Sequence, residues 1–439
     1  MSPYTNSELL RFVEENDVKF IRLAFCDIFG TQKNITIMAD GLAHALNDGI
    51  GFDASAIQGF MNVECSDLLL FPDPSTLAVL PWRPSQGRVI RFFCDIRYTD
   101  GRPFEGDGRR MLQAAEQEAS DLGYSLQIGL ECEFYLFQLG DDGLPTHIPH
   151  DNASYLDVGP FDKGENVRRQ ICLTLEEMNI RPESSLHEGG PGQNEIVLHH
   201  ENPLKIADDL ITLRNVVKTV AASNGLHASF MPKPLHDKAG SGLHTNISLH
   251  KKGSNLLSGG LENSAESLSF TAGLITRCRE MTAFFNPLVN SYDRFGSYEA
   301  PRFITWSHQN RSQLIRIPGD SDDRSRLELR SPDPAINPYL AFTLLIHAGL
   351  EGIRRDLKLF APCDINLYEA PYSVTREYDT LPVNLKQAVK AARESAFVRQ
   401  VLPEKIVNSY LNAKASEWER YSAAQDKSSM TDSMYFYSI

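Results

Sequence analysis

The chain has 439 residues, which is too long for one compact core and predicts a small domain beside a large one. Its 42% hydrophobic and 23% charged residues are the ordinary composition of a soluble globular protein. The net charge of −14 argues against a general binder of nucleic acid or membrane surfaces, because both require basic patches.

Two further features predict a cytoplasmic protein. The N-terminus lacks an apolar signal core, and no apolar run is long enough to cross a bilayer. The seven cysteines are far apart and form no CxxC pair, which is typical of reduced, mostly buried thiols and not of a disulfide framework or a zinc site.

The first hundred residues are predicted to mix helix and strand. Ser7–Asn16 has a helical pattern, whereas Lys19–Phe29 and Arg88–Tyr98 have strand patterns. The Gly- and Asp-rich segment Thr99–Arg110 is typical of a domain boundary. We therefore predict one domain over residues 1–103 and a second over 104–439.

Helices and strands alternate in the second domain. One helix is predicted to end near Gly123, and another spans Asp208–Asn224. A long buried helix is predicted at Ala335–Leu357, and the chain after Pro382 is predicted to be helical up to an aromatic tail.

Three strand-like segments each have one apolar and one polar face, because successive side chains of a strand point to opposite sides. If the segments share a sheet, their polar faces form one charged cavity. These faces are Gln127, Gly129, Glu131 and Glu133; His244, Asn246 and Ser248; and Arg326, Glu328 and Arg330.

Acidic residues within these and a neighbouring segment are candidate metal ligands. Glu131 and Glu133 point the same way and repel each other unless a cation lies between them, although a solvated strand face gives the same pattern. Glu188 and Glu195 flank a Gly-Gly-Pro-Gly loop that either folds the second acid beside the first or is a flexible turn. His244 is a ligand only if carboxylates surround it.

Arginines are concentrated between residues 311 and 330. Arg311, Arg316, Arg326 and Arg330 lie there with Glu328, and arginine binds phosphate and carboxylate in a bidentate manner. An internal ladder of ion pairs would also explain the Arg-x-Glu-x-Arg pattern, but arginines beside a carboxylate-bound metal suit phosphoryl transfer better. The sequence contains no Walker A loop, kinase glycine loop, GxSxG or HExxH.

Ten segments along nearly the whole chain resemble, in order, those of type I glutamine synthetases. They are FDASA (Phe52–Ala56), CSDLLLFPDPST (Cys65–Thr76), ECEF, HEGGPGQNE, FMPKP (Phe230–Pro234), GSGLH, NSYDRFGSYEAP (Asn290–Pro301), NRSQLIRIP, RLELRSPDPAINPY (Arg326–Tyr339) and NLY (Asn366–Tyr368). The resemblance implies an α+β fold: a small β-grasp-like N-terminal domain, and a large catalytic domain whose curved antiparallel sheet, a half-barrel, is backed by helices.

The resemblance also implies ATP as co-substrate and two or more Mg²⁺ or Mn²⁺ ions per active site. Glu133, Glu188 and Glu195 would hold the first ion, and Glu131, His244 and Glu328 the second. Arg326, Asn246 and Ser248 would line the nucleotide site. The implied reaction joins ammonia to the γ-carboxylate of L-glutamate through γ-glutamyl phosphate, giving L-glutamine, ADP and phosphate.

The remaining implied roles concern the substrates. Arg311 and Arg316 would neutralise the transferring phosphoryl group, whereas Arg294 and Arg330 would hold glutamate. Asp53 would take a proton from ammonium, beside Asp67 and Tyr155, and Glu299 would close over the intermediate. From the residues alone, Asp53 could be a turn residue and Glu299 a solvated loop acid.

Several positions depart from the family pattern and keep alternatives open. Ala239 stands where Asn is usual, Asn246 replaces a frequent His, and the flap Arg294–Glu299 is one residue shorter. A relative that uses an organic amine, or a non-catalytic sensor on the same fold, therefore remains an alternative. The family also implies a homo-oligomer, expected as a dodecamer of two hexameric rings, whose active sites form between subunits.

Overall fold

The N-terminal part of the chain folds around one mixed sheet. The protein is described by a computed structural model over residues 4–319 and 324–439. Within the described part, strands follow the order β2-β1-β6-β4-β3, with β5 on β6, and β1 and β6 run parallel. The elements are α1 (Asn6–Glu15), β1 (Val18–Cys26), β2 (Gln32–Met38), α2 (Leu42–Asp48), β3 (Ile50–Asp53), β4 (Asp67–Pro72), β5 (Ala78–Val79) and β6 (Arg88–Tyr98).

The larger part of the chain is built on a second sheet in the order β14-β15-β16-β12-β7-β10-β9, to which β8, β11 and β13 add at the sides. The sheet is antiparallel except for the pair β14 and β15. Its elements are α3 (Gly108–Asp121), β7 (Tyr124–Leu139), β8 (Pro145–Pro149), α4 (Glu165–Glu177), β9 (Pro182–His187), β10 (Gln193–Glu201), α5 (Pro203–Ser223), β11 (Leu226–Ser229), β12 (Leu243–Lys251), β13 (Ser254–Asn255), α6 (Ala265–Phe285), β14 (Trp306–His308), β15 (Ile315–Ile317), β16 (Leu327–Leu329) and α7 (Pro338–Arg354).

Helices cover one face of this sheet and complete the α+β fold that the sequence predicts. The apolar face of β7 is buried, from Leu126 to Leu136, and α3 and α5 pack against that strand. The C-terminal quarter is helical, as predicted, with α8 (Tyr372–Thr375), α9 (Leu385–Glu394), α10 (Ala396–Val401), α11 (Glu404–Ala423) and α12 (Lys427–Thr431).

Three predicted boundaries are wrong for identifiable reasons. The strand predicted at Lys19–Phe29 ends at Cys26, because Asp27 accepts hydrogen bonds from the backbone of Phe29 and Thr31 and turns the chain into β2. Helix α5 begins five residues early because Asn202 caps it and a proline follows. Helix α7 begins at Pro338, not Ala335, because Asn337 caps the backbone of Tyr339 and Leu340.

A buried arginine joins the two parts of the molecule. Arg109, near the start of α3, contacts Asp73 and Asp95 of the N-terminal part at 2.7 and 3.2 Å. It also contacts Asp208 of α5 at 3.0 Å, which accepts a hydrogen bond from the hydroxyl of Tyr339 in α7. Because its guanidinium is paired on all sides, Arg109 fixes the first sheet against the helices that carry the second.

The aromatic tail packs on its own chain. The ring of Phe436 stacks on His147 at 4.2 Å between centroids, and the carbonyl of Ile439 accepts a hydrogen bond from the backbone of Phe230. A contact of this tail with another subunit stays a prediction. No helix in the described residues is long and apolar enough to span a bilayer.

Candidate active site

The three polar strand faces lie side by side, as the sequence predicts. In the antiparallel pairing, His244 of β12 lies opposite Glu131 of β7, and Asn246 lies opposite Glu328 of β16. On the other side of β7, Glu133 lies opposite Glu195 of β10. Neighbouring strands therefore place one imidazole and four carboxylates on one face of the sheet.

Two groups of these side chains are close enough to share a cation. Ligand atoms of Glu131, His244 and Glu328 lie within 4.8 Å of one another, as do those of Glu133, Glu195 and His244. The first group is the set expected for the second metal. The second group contains His244 where the expected set for the first metal has Glu188. The carboxylate of Glu188 instead accepts a hydrogen bond from the backbone of Gly189 at 3.0 Å.

The pKa values of Glu133 and Glu195 indicate a shortage of positive charge in the cluster. Burial, and then the charge of Glu188, raise the pKa of Glu133 to about 8. Burial, and then Glu133, raise the pKa of Glu195 well above its ordinary value. For Glu131, burial is outweighed by the hydrogen bond and charge of His244, which lower its pKa to about 2. An oxygen-rich set with one imidazole, short of counter-charge, fits Mg²⁺ or Mn²⁺.

The glycine loop between β9 and β10 is rigidly built around Gln193. The side-chain oxygen of Gln193 accepts a hydrogen bond from the backbone of Gly190, and its amide donates to Glu133 at 3.0 Å. The backbone of Gly242 donates to the same carboxylate at 2.8 Å. Sequence reasoning missed Gln193, although its position two residues before Glu195 places both on one strand face.

A buried polar network behind this loop was also missed. Asp151 accepts a hydrogen bond from the backbone of Gly192 at 2.8 Å and lies 3.0 Å from Nε2 of His187. Nearby, Arg168 is paired with Asp162 at 2.5 Å and donates to Asn194 at 2.6 Å. Only the fold brings these residues together, since they come from three separate segments.

The predicted arginines surround Glu328 and the neighbouring strand. Arg316 and Arg330 both pair with Glu328, and all but 1% of the Arg330 side chain is buried. Arg326 donates to the side-chain oxygen of Asn246 at 3.1 Å. Ser248 follows Asn246 on the same face of β12 and contacts His250 at 3.1 Å. Arg311 is half exposed at the rim of the site.

The flap lies over these arginines. The carboxylate of Glu299 is 3.8 Å from Arg330 and 4.0 Å from Arg311, while its carbonyl accepts a hydrogen bond from Arg330 at 3.2 Å. Arg294, at the other end of the flap, is buried and donates to the carbonyls of Ser331 and Pro332.

Two of the three residues predicted for ammonium lie on the N-terminal sheet. Asp53 and Asp67 are paired in register across β3 and β4 of the N-terminal sheet. Asp53 accepts hydrogen bonds from the backbone and hydroxyl of Ser55, which lower its pKa. Tyr155 is 56% exposed. Among the described residues, no hydrogen bond or ion pair joins these three to the carboxylate cluster.

Comparison with protein families agrees with this architecture. The glutamine synthetase β-grasp domain matches residues 17–99, and the glutamine synthetase catalytic domain matches residues 105–432. The chain belongs to the glutamine synthetase family. The small β-grasp domain and the curled sheet of the catalytic domain are thereby confirmed.

Similar proteins extend over almost the full length. Glutamine synthetases of Clostridium saccharobutylicum and Methanosarcina mazei are each 44% identical, covering 96% and 95% of both chains respectively. A solved GmaS/ADP complex is 32% identical with a TM-score of 0.87, covering 95% of this chain and 97% of that one. Plasmodium falciparum glutamine synthetase, at 24% identity, shares the fold with a TM-score of 0.86 over 97% and 98% of the two chains.

Proposed function

We propose that this chain is a glutamate–ammonia ligase, which joins ammonia to the γ-carboxylate of L-glutamate and cleaves ATP to ADP and phosphate. The observation that carries the proposal is the row of carboxylates and one imidazole on three adjacent strands, with Arg316 and Arg330 paired to its central acid, Glu328. Carboxylate-held cations beside arginines are what phosphoryl transfer requires.

The six acidic and imidazole side chains would hold the cations. Glu131, His244 and Glu328 would bind one, and Glu133 and Glu195, with Glu188 nearby, another. When bound, Mg²⁺ or Mn²⁺ would supply positive charge to the phosphates of ATP. The raised pKa of Glu133, about 8, supports this arrangement, because a cation would replace the proton that burial and repulsion favour.

Arginines would position the reactants of the first step. The γ-carboxylate of glutamate attacks the γ-phosphorus of ATP, forming γ-glutamyl phosphate and releasing ADP. Arg311 and Arg316 would neutralise the transferring group, and Arg294 and Arg330 would hold glutamate. Arg326, Asn246 and Ser248 would contact the nucleotide, since they lie along β12 and β16 beside the cluster.

Asp53 would serve the second step. A carboxylate whose pKa is lowered stays ionised, so it can attract ammonium and take a proton from it; the ammonia so formed attacks the acyl carbon and displaces phosphate. Asp67 and Tyr155 would line the same pocket, and Glu299 would cover the intermediate and exclude water.

The separation of Asp53 from the carboxylate cluster supports a site shared between subunits. Among the described residues, Asp53 makes no hydrogen bond or ion pair with its own chain's cluster, and in a closed ring the N-terminal sheet of one subunit can complete the site of its neighbour. We therefore propose a homo-oligomer, with two stacked hexameric rings as the expected form, in a cytoplasmic setting.

A ligase for an organic amine is the second candidate. The observation that favours it is Ala239, whose methyl side chain offers no amide to a substrate while its carbonyl accepts a hydrogen bond from Tyr135 at 2.6 Å. Retention of Asp53, Asp67, Tyr155 and Glu299 favours ammonium instead, because an acidic pocket fitted to a small cation leaves little room for a larger amine.

Product analysis tests the proposal directly. The assembled protein is incubated with ¹⁵N-ammonium, L-glutamate, ATP and Mg²⁺, and nitrogen NMR follows the label. Appearance of ¹⁵N in the side-chain amide of glutamine is the expected result. Absence of labelled amide, with a bound metal content of zero, would instead indicate a non-catalytic sensor.

A further inference from the structure

The flap that carries Glu299 has a strained backbone. Tyr298 and Glu299 both have left-handed φ angles, 48° and 62°, although neither is glycine. Such a conformation is sterically unfavourable for a residue with a Cβ atom and persists only where surrounding contacts impose it. The contacts of Tyr298 and Glu299 therefore determine where the flap carboxylate lies.

One set of contacts is made by Tyr298 with the loop formed by residues 230–242. The hydroxyl of Tyr298 donates to the carbonyl of Asp237 at 2.8 Å. The ammonium of Lys233 lies 4.6 Å from the centre of the Tyr298 ring and also donates to the carbonyl of Lys238. Lys233 is buried, whereas Tyr298 is 58% exposed. The buried ammonium of Lys233 therefore holds the exposed ring of the flap in place.

The 230–242 loop is itself rigid. The backbone of Ser241 donates to the carbonyl of Pro232 at 2.8 Å, and Asn290 donates to the carbonyl of Lys233 at 3.2 Å. Tyr135 of β7 donates to the carbonyl of Ala239 at 2.6 Å. The loop is thereby attached to β7, the strand that carries Glu131 and Glu133. A flap that binds the loop therefore has a fixed position relative to these carboxylates.

The other end of the flap lies against the same loop. A Cβ atom on Gly240 would lie 2.4 Å from Cγ of Arg294, so the stem of this buried arginine packs closely on the loop. Between Arg294 and Glu299, Tyr298 is the residue whose side chain bonds to the loop.

We propose that Tyr298 and Lys233 form a latch that positions the Glu299 carboxylate between Arg311 and Arg330 and so protects the activated acyl group from water. The inference rests on the proposed function. When the latch opens, water adds to the acyl carbon of γ-glutamyl phosphate and phosphate leaves, so glutamate is regenerated and ATP has been cleaved without forming an amide. Tyr298 and Lys233 are positioning residues, since they act through Glu299.

The test is the number of phosphates released per amide formed, measured on assembled enzyme with whichever amine the wild type accepts. Tyr298→Phe removes one hydrogen bond, worth about 1 kcal/mol, and should raise abortive hydrolysis about fivefold. Lys233→Met should do the same. Tyr372→Phe changes an 80% exposed tyrosine outside the 294–299 segment; it is the matched control and should keep the wild-type ratio. The control should keep the wild-type melting temperature, and Tyr298→Phe and Lys233→Met should lower it by only a few degrees, as expected for the loss of one hydrogen bond.

The outcomes separate the latch from the proposed function. If phosphate release matches amide formation in the wild type but exceeds it in Tyr298→Phe and Lys233→Met, the latch is supported. Wild-type ratios in both variants overturn it while leaving glutamine formation intact. A wild type that couples phosphate release only to a larger amine overturns the proposed acceptor alone, because the ratio still reports on the latch. A wild type that forms no amide with any amine overturns both.

Discussion

Glu328 is central to the candidate active site because it contacts two arginines and lies 3.9 Å from Nδ1 of His244. Burial opposes its ionisation, but Arg330 and His244 outweigh burial and lower its pKa. A carboxylate so placed stays ionised and available to a cation.

Glu328→Ala should therefore abolish ATP turnover, with a loss of about 10³-fold or more, because it removes a proposed metal ligand and the buried carboxylate with which two arginines pair. Phosphate release with glutamate and ammonium is the measurement. Glu394→Ala removes an exposed acid whose nearest partner, Lys390, is 3.9 Å away, and it should retain full turnover. Near-normal turnover of Glu328→Ala would contradict the assignment.

Glu133 should make the stabilisation of the folded protein by Mg²⁺ depend on pH. Because burial and Glu188 raise its pKa from 4.5 to about 8, the folded state binds this proton more tightly than the unfolded state does. Its contribution to stability is complete below about pH 4.5 and is lost as the pH rises through about 8. A cation replaces the proton, so Mg²⁺ should raise the melting temperature more at pH 8 than at pH 6. An equal rise at both values would contradict this account.

At the scale of elements, helix α7 depends on its cap. Asn337 accepts hydrogen bonds from the backbone of Tyr339 and Leu340, and its amide donates to the carbonyls of Asp27 and Ile28. Asn337→Ala should cost about 2–3 kcal/mol of unfolding free energy, because a cap is lost and buried carbonyls lose their donor. Asn384→Ala removes a half-buried cap of α9 whose side chain accepts a single backbone hydrogen bond, and it should cost about 1 kcal/mol. Chemical denaturation measures both, and equal costs would contradict the argument.

The elements also show what the sequence could predict. Alternation along β7, β12 and β16 placed the acids and His244 on one face, and β6 was predicted with its observed bounds. The start of α5 was missed because its cap, Asn202, lies before the apolar repeat begins. The network of Asp151, His187 and Arg168 could not be predicted, because no local pattern brings together residues that only the packing of α4 behind the loop makes neighbours.

At the scale of the whole molecule, Asp53 and Glu328 lie on different sheets, and the proposed site takes them from two neighbouring chains. Co-assembly of Asp53→Ala subunits with Glu328→Ala subunits should therefore restore activity, since about a quarter of the sites would combine two intact halves under random mixing in a closed ring. Each variant assembled alone should form amide slowly or not at all, although Asp53→Ala should retain glutamate-dependent phosphoryl transfer. Activity of the mixture no greater than the average of the two variants would contradict a shared site.

The most direct test of the central claim is phosphate release from ATP by the assembled protein with glutamate and Mg²⁺, comparing ammonium with a panel of amines. The account predicts release that depends on ammonium and matches the glutamine formed. Release only with a larger amine would contradict it and would identify the surroundings of Ala239 as the determinant of the acceptor.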